Sequence, residues 1–172
     1  MKRIGVIWLI FAIGAAASCD QISLGPKHAE SAPAPAPVSA PVPNLSGFVG
    51  AAYPEAATRA GFERFTPAAL GLAEADQARL AAAMADAQPS WVAAGGGAHA
   101  LLFTGCAAEG CETGRAVVAI DMATGAAFVG VHDSQGATEL APNPRLEALL
   151  RLTSPDRGWE NPQPPAPQAA TP

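Results

Sequence analysis

The chain has 172 residues, 17 of them glycine and 17 proline, and a formal charge of −5; that length holds one domain with some unstructured length beside it. Apolar residues make up 49%, but many are alanine, so a core must come from a limited set of Leu, Val, Ile, Phe, Met and Trp. The acidic balance disfavours nucleic acid and suits a cationic partner.

Residues 1–18 read as an export signal. Lys2 and Arg3 make the positive start, Ile4 to Ile13 the apolar stretch, and small residues from Gly14 to Ser18 lead to Cys19. The apolar run falls short of the roughly 20 residues needed to span a bilayer, which argues against an uncleaved anchor. Removing Lys2 and Arg3 leaves eight basic against 15 acidic residues, a net of −7. Ala16-Ala17-Ser18-Cys19 resembles the bacterial lipoprotein signal, in which the new N-terminal cysteine is acylated, although Ala16 stands where leucine is usual. Ordinary cleavage after Ala17 or Ser18, leaving a soluble periplasmic protein, is the alternative. The cysteine count favours acylation: Cys106 and Cys111 can pair, which leaves Cys19 as an exposed orphan in an oxidising compartment. Asp20 resembles an inner-membrane retention signal. The expected location is the bacterial cell envelope, facing the periplasm, with the membrane reached through a lipid anchor on Cys19.

Residues 19–44 form a Pro-rich tether. The run at 32–43, Ala-Pro-Ala-Pro-Ala-Pro-Val-Ser-Ala-Pro-Val-Pro, favours extended polyproline geometry at ~3.1 Å per residue. The globular domain is expected over 45–160. Ser46 to Leu72 scatter Phe48, Val49, Tyr53, Phe62, Phe65 and Leu70 among Gly and Pro, predicting short helical pieces and loop. Ala73 to Ala87 predicts a helix, with Glu74 and Asp76 in its first turn and Pro89 just beyond its end. Its apolar face is Leu72, Leu80, Ala83, Met84 and Ala87, read as core. Trp91 reads as a core or sheet-edge aromatic, and Gly95-Gly96-Gly97 as a flexible turn, because no helix start or Lys-Ser/Thr follows to make a phosphate cradle.

Strand signals follow. Ala98 to Thr104 carries Leu101, Leu102 and Phe103; Arg115 to Asp121 is apolar on both faces and predicts a central strand; Ala126 to His132 follows a turn at Met122–Gly125. Ala137 to Leu140 is a candidate edge strand. Pro144 to Leu152 predicts a short helix burying Leu146, Leu149 and Leu150. Residues 161–172 read as a Pro-rich, frayed tail. The expected class is α+β: an antiparallel sheet of about four to five strands with helices on one face.

Between the first two strands, Cys106 and Cys111 frame Ala107-Ala108-Glu109-Gly110. The spacing is wrong for a C-x-x-C redox pair. His28, His99 and His132 show no metal-ligand pattern, so no metal and no cofactor are expected. A structural disulfide is the favoured reading in an exported chain. It closes a loop so short that its worth lies in holding the tip in one shape more than in global stability. No nucleophile–base constellation stands out, so no catalytic residue is assigned and the chain reads as a non-enzyme.

Pro89-Ser90-Trp91-Val92, Gly95-Gly96, the loop Cys106 to Cys111, Arg115-Ala116-Val117-Val118 and Thr124-Gly125 through Phe128-Val129-Gly130-Val131 together resemble the inhibitor of vertebrate lysozyme (Ivy) family. The resemblance covers about residues 73–152. It implies an exported bacterial protein of α+β fold whose cysteine-closed loop enters the active-site cleft of a lysozyme. The implied partner is a basic lysozyme or another peptidoglycan-cleaving glycosidase, contacted by Ala107, Ala108, Glu109 and Gly110. Typical members carry C-K-P-H-D-C, with the histidine on the catalytic carboxyl groups; here Glu109 stands in its place. An ionised Glu only accepts hydrogen bonds and is repelled by a carboxylate. A non-inhibitory binding module, or a structural envelope lipoprotein on the same scaffold, is the alternative.

Overall fold

A strand turns successive side chains to opposite faces, and β4 (Gly110–Asp121) is apolar in both directions. Ala116, Val118 and Ile120 enter one core, while Val117 and Ala119 enter another. Both faces of the sheet therefore have to be covered, and both are. The computed structural model describes residue 41 and residues 44–167. The export signal, Cys19, Asp20, His28, most of the tether and the last five residues of the tail lie outside the described residues.

The remaining strands are β1 (Asp86–Ala87), β2 (Trp91–Gly95), β3 (Ala98–Ala107), β5 (Ala127–Asp133) and β6 (Gly136–Ala141). They form one antiparallel sheet of six strands in the order β1-β3-β4-β5-β6, with β2 also pairing β3. The expected antiparallel α+β sheet is present, with two strands more than the predicted meander and edge strand. β2 was hidden because Trp-Val-Ala-Ala-Gly offers little β-propensity beyond its first two residues. It meets β3 through a tight turn at Gly96–Gly97.

On the first face lie α1 (Tyr53–Ala56), α2 (Glu74–Ala83) and 3-10 turns at Leu45–Phe48 and Glu63–Phe65. Their aromatic rings form one cluster: Phe62 touches Phe48, Tyr53, Phe65 and the sheet residue Phe103 at centroid distances from 4.9 to 6.0 Å. Tyr53 donates its hydroxyl to the Phe65 carbonyl at 2.9 Å, and burial pushes its phenol well above the ordinary value. Arg79 on α2 clasps Asp133 at the end of β5 through two hydrogen bonds of 2.8 and 3.0 Å.

The second face is covered by α3 (Pro144–Thr153), capped by Asn143, whose side chain accepts from the Leu146 N–H. Leu146, Leu149 and Leu150 are buried as predicted, joined by Trp159. Trp159 packs edge-on against Phe128 at 5.5 Å and lies directly over Gly130, where an added Cβ would fall 2.3 Å from the ring. Helices thus flank the sheet on two sides instead of the single face expected, because the doubly apolar β4 and β3 expose hydrophobes in both directions.

Two further differences shape the site. The helix expected to run to Ala87 ends at Ala83, and Asp86 and Ala87 instead join the sheet opposite Cys106 and Gly105. Gly105 permits this, since a Cβ there would meet Met84 Sδ at 2.8 Å and the Met84 backbone at 3.0 Å. The segment expected to fray from Asn161 begins against the sheet: Pro162 is buried, and the Gln163 N–H donates to the Thr153 carbonyl at 3.1 Å.

Candidate functional site: a disulfide-closed loop and the groove beside it

β3 and β4 run further than their apolar cores, past the cysteines, and end in a turn at Ala108–Glu109 with Ala107 opposite Gly110. Neither Ala108 nor Glu109 takes a positive φ; that conformation falls on Gly110, at φ 111°. Only glycine adopts such a φ without strain. The ladder then breaks register. Cys106 pairs with Arg115, the next residue Ala107 pairs with Gly110, and Cys111 to Gly114 have no counterpart on β3. A four-residue bulge of this kind bends the strand and turns its side chains out of the sheet.

The disulfide joins Cys106, the last residue before the break, to Cys111 at the start of the bulge, with Cα atoms 4.6 Å apart. It therefore fastens the bulge to the ladder as well as closing the tip. Of the residues expected at the contact, Ala108 and Glu109 are exposed, while Ala107 and Gly110 are half-buried. The bulge adds exposed Glu112 and Thr113, which the sequence reading left out. Thr113 steadies the turn by donating its hydroxyl to the Gly110 carbonyl at 3.0 Å. Among the described residues no ion pair holds Glu109 or Glu112. The tip is small, acidic and free to be met.

Directly opposed residues share a face of a sheet. The register thus places Asp86, Cys106, Arg115 and His132 in one row across the loop end of the sheet. Cys106 and Arg115 belong to the face that α3 covers further along, since Thr104 and Leu102 precede Cys106 at intervals of two and Val117 follows Arg115. α3 stops short of this end. What remains is a groove of about 500 Å³, floored by Thr104, Cys106 and Arg115, with Trp91 on one side and Pro162 on the other. Trp91 is half-buried, and its Nε1–H is sealed from solvent without an acceptor, an arrangement that costs about 1–3 kcal/mol.

The groove was not read from the sequence. Its one signal was a charged residue, Arg115, ahead of the apolar run Ala116 to Ile120, at a position that alternation assigns to a buried face. His99 and His132 are both exposed, and among the described residues no three of His, Cys, Asp or Glu gather as a metal site. Among the described residues no helix is long and apolar enough to cross a membrane.

A protein-family model described as inhibitor of vertebrate lysozyme (Ivy) matches residues 66–159, a span that takes in α2, the whole sheet, the disulfide loop and α3. Neither a curated protein nor a solved structure matches the chain.

Proposed function

The chain belongs to the inhibitor of vertebrate lysozyme (Ivy) family, and from that premise we propose that it binds a lysozyme-type, peptidoglycan-cleaving glycosidase and blocks its cleft with the loop Cys106 to Cys111. The family is one of inhibitors, which accords with a binding protein and not an enzyme. The observation that carries the reading is the loop's construction. Exposed Ala108 and Glu109 stand at the end of the two longest strands of the sheet, tied by a disulfide at the point where the ladder breaks. A tip held in one shape loses little conformational freedom on insertion, and that saving goes into affinity.

The contact residues in this proposal are Ala107, Ala108, Glu109 and Gly110. Two alanines and a glycine make the tip narrow. Glu109 gives it an acceptor-only point, which suits N–H and O–H donors in a cleft, including the protonated member of a glycosidase's carboxyl pair. The net acidity of the chain steers it towards a basic enzyme. In the same reading the protein works in the periplasm-facing envelope, anchored by an acylated Cys19. Glu109 in place of histidine is also what a non-inhibitory binding module on this scaffold would carry.

Inhibition assays against c-type, g-type and bacterial muramidases test the proposal. We expect at least one to be inhibited, with the effect lost on reduction of the disulfide. No inhibition of any of the three classes refutes it in favour of the non-inhibitory module. Incorporation of labelled palmitate, abolished by Cys19→Ser, tests the anchor.

A further inference from the structure

We propose that the groove beside the disulfide is a second contact of the same interface, a carboxylate-recognition pocket in which Arg115 receives an acidic side chain from the rim of the partner enzyme's cleft. The proposal rests on the inhibitory reading above, because it takes the partner's cleft to be the one the loop enters.

The arginines among the described residues carry the argument. Arg59 is paired with Glu55, Arg79 with Asp133, Arg145 with Asp121 and Arg151 with Glu147. Arg64 lies over the Phe65 ring. Arg157 follows α3, beside Arg151 and Leu152 and away from the groove. Arg115 is the basic residue that lines the groove, and among the described residues it has neither an ion pair nor a side-chain hydrogen bond. Asp86 and Glu160 are its acidic neighbours, one in the same row of the sheet and one in the groove wall, yet neither is within ion-pair distance of it.

Arg115 is half-buried, and its guanidinium, without a partner, offers five N–H donors in a flat fork, the geometry that a carboxylate matches with two parallel bonds. Trp91, Pro89 and Pro162 give the groove apolar wall beside Arg115, and Gln88, Glu160, Asn161 and Gln163 its polar lining; the apolar side lowers the local dielectric and strengthens such a pair. The groove and the loop are contiguous, since Cys106 and Cys111 line the one and close the other. A partner that takes the tip into its cleft therefore brings the rim of that cleft over Arg115. The acidic tip cannot attract a carboxylate; the base of the loop can.

The test uses the full chain in its exported form and the muramidase it inhibits best. Arg115→Gln should raise the inhibition constant about 10- to 100-fold while leaving the melting temperature unchanged. Arg115→Lys, which keeps the charge but not the fork, should fall between. Arg64→Gln, away from the groove, should have no effect. Should Arg115→Gln fail to fold, Arg115→Lys decides alone: a several-fold loss supports the proposal and none overturns it. Unchanged inhibition by Arg115→Gln, with inhibition still abolished on reducing the disulfide, overturns the pocket and spares the plug. No inhibition by the unaltered chain overturns both. Quenching of tryptophan fluorescence by soluble cell-wall glycan fragments, lost in Arg115→Gln without any change in inhibition, would assign the groove to a saccharide and overturn the carboxylate.

Discussion

Gly130→Ala perturbs a single atom at the point where the second core is tightest. The new Cβ would lie 2.3, 2.6 and 2.7 Å from three atoms of the Trp159 ring, where about 3.5–4.0 Å is the favourable separation between carbons. Relief requires the ring to move by about an ångström. Trp159 is only 4% exposed and rests on Phe128 at 5.5 Å, so it has no free space to move into. Overpacking of this kind costs about 1–3 kcal/mol; expelling the ring altogether would approach the roughly 3–5 kcal/mol of a tryptophan deletion. Urea unfolding should therefore show Gly130→Ala destabilised within that range, with a weakened near-ultraviolet tryptophan signal. Trp159→Leu should cost stability alone but remove most of the penalty of Gly130→Ala in the double variant. A Gly130→Ala protein as stable as the unaltered chain would refute the reasoning. So would strictly additive effects, because the two positions are argued to act through one contact. The outcome bears on function, since Trp159 directly precedes the Glu160–Pro164 segment that walls the groove.

Three other outcomes are expected. Replacing both cysteines, Cys106→Ser with Cys111→Ser, should lower unfolding stability by about 2 kcal/mol at most, seen as a shift in urea midpoint, while inhibition falls much further. Equal loss of both would mean that the disulfide holds the domain and not the tip. The Arg79 guanidinium, by donating to Asp133, holds that carboxyl below its ordinary value. Its contribution is therefore present above the unfolded carboxyl value near 3.9 and is lost as pH falls through the lower folded value. Arg79→Gln should cost about 1 kcal/mol near pH 7, and the gap to the unaltered chain should close in acid; a gap independent of pH would sink the assignment. Glu109→His should tighten inhibition of a c-type lysozyme about tenfold, measured as an inhibition constant; weaker inhibition would show that Glu109 does not occupy the point of the plug.

Where one residue type and one periodicity carried the signal, the sequence was sufficient. Leu146, Leu149 and Leu150 at helical spacing behind Pro144 located α3, and the unbroken apolar run after Arg115 located the central strand. That run also held the information that both faces need cover, although one helical face was expected. β1 was illegible because Asp86 and Ala87 continue a helix-favouring composition. Their place in the sheet depends on Gly105, almost 20 residues later, leaving room for Met84. The loop was legible as a disulfide frame but not as a bulge, since equal strands on either side suggest a flush tip and register is decided by distant pairings. Trp159 falls within the expected domain but among Pro, Gly and Asn, with no periodicity to give it an element, and its burial depends on the room that Gly130 leaves on the sheet.

The bulge from Cys111 to Gly114 has a consequence for how such a protein can be re-aimed. Ala108, Glu109, Glu112 and Thr113 are exposed and have no counterpart, or only each other, in the ladder. The ladder up to Cys106–Arg115 and the disulfide carry the frame without them. Apart from the hydroxyl by which Thr113 steadies the turn, their identities are thus nearly independent of the stability of the domain, and surface changes away from structural features typically fall within about 0.5 kcal/mol. A lineage can alter its target by changing four letters without repacking a core, and a designer can graft a new tip onto the same two cysteines.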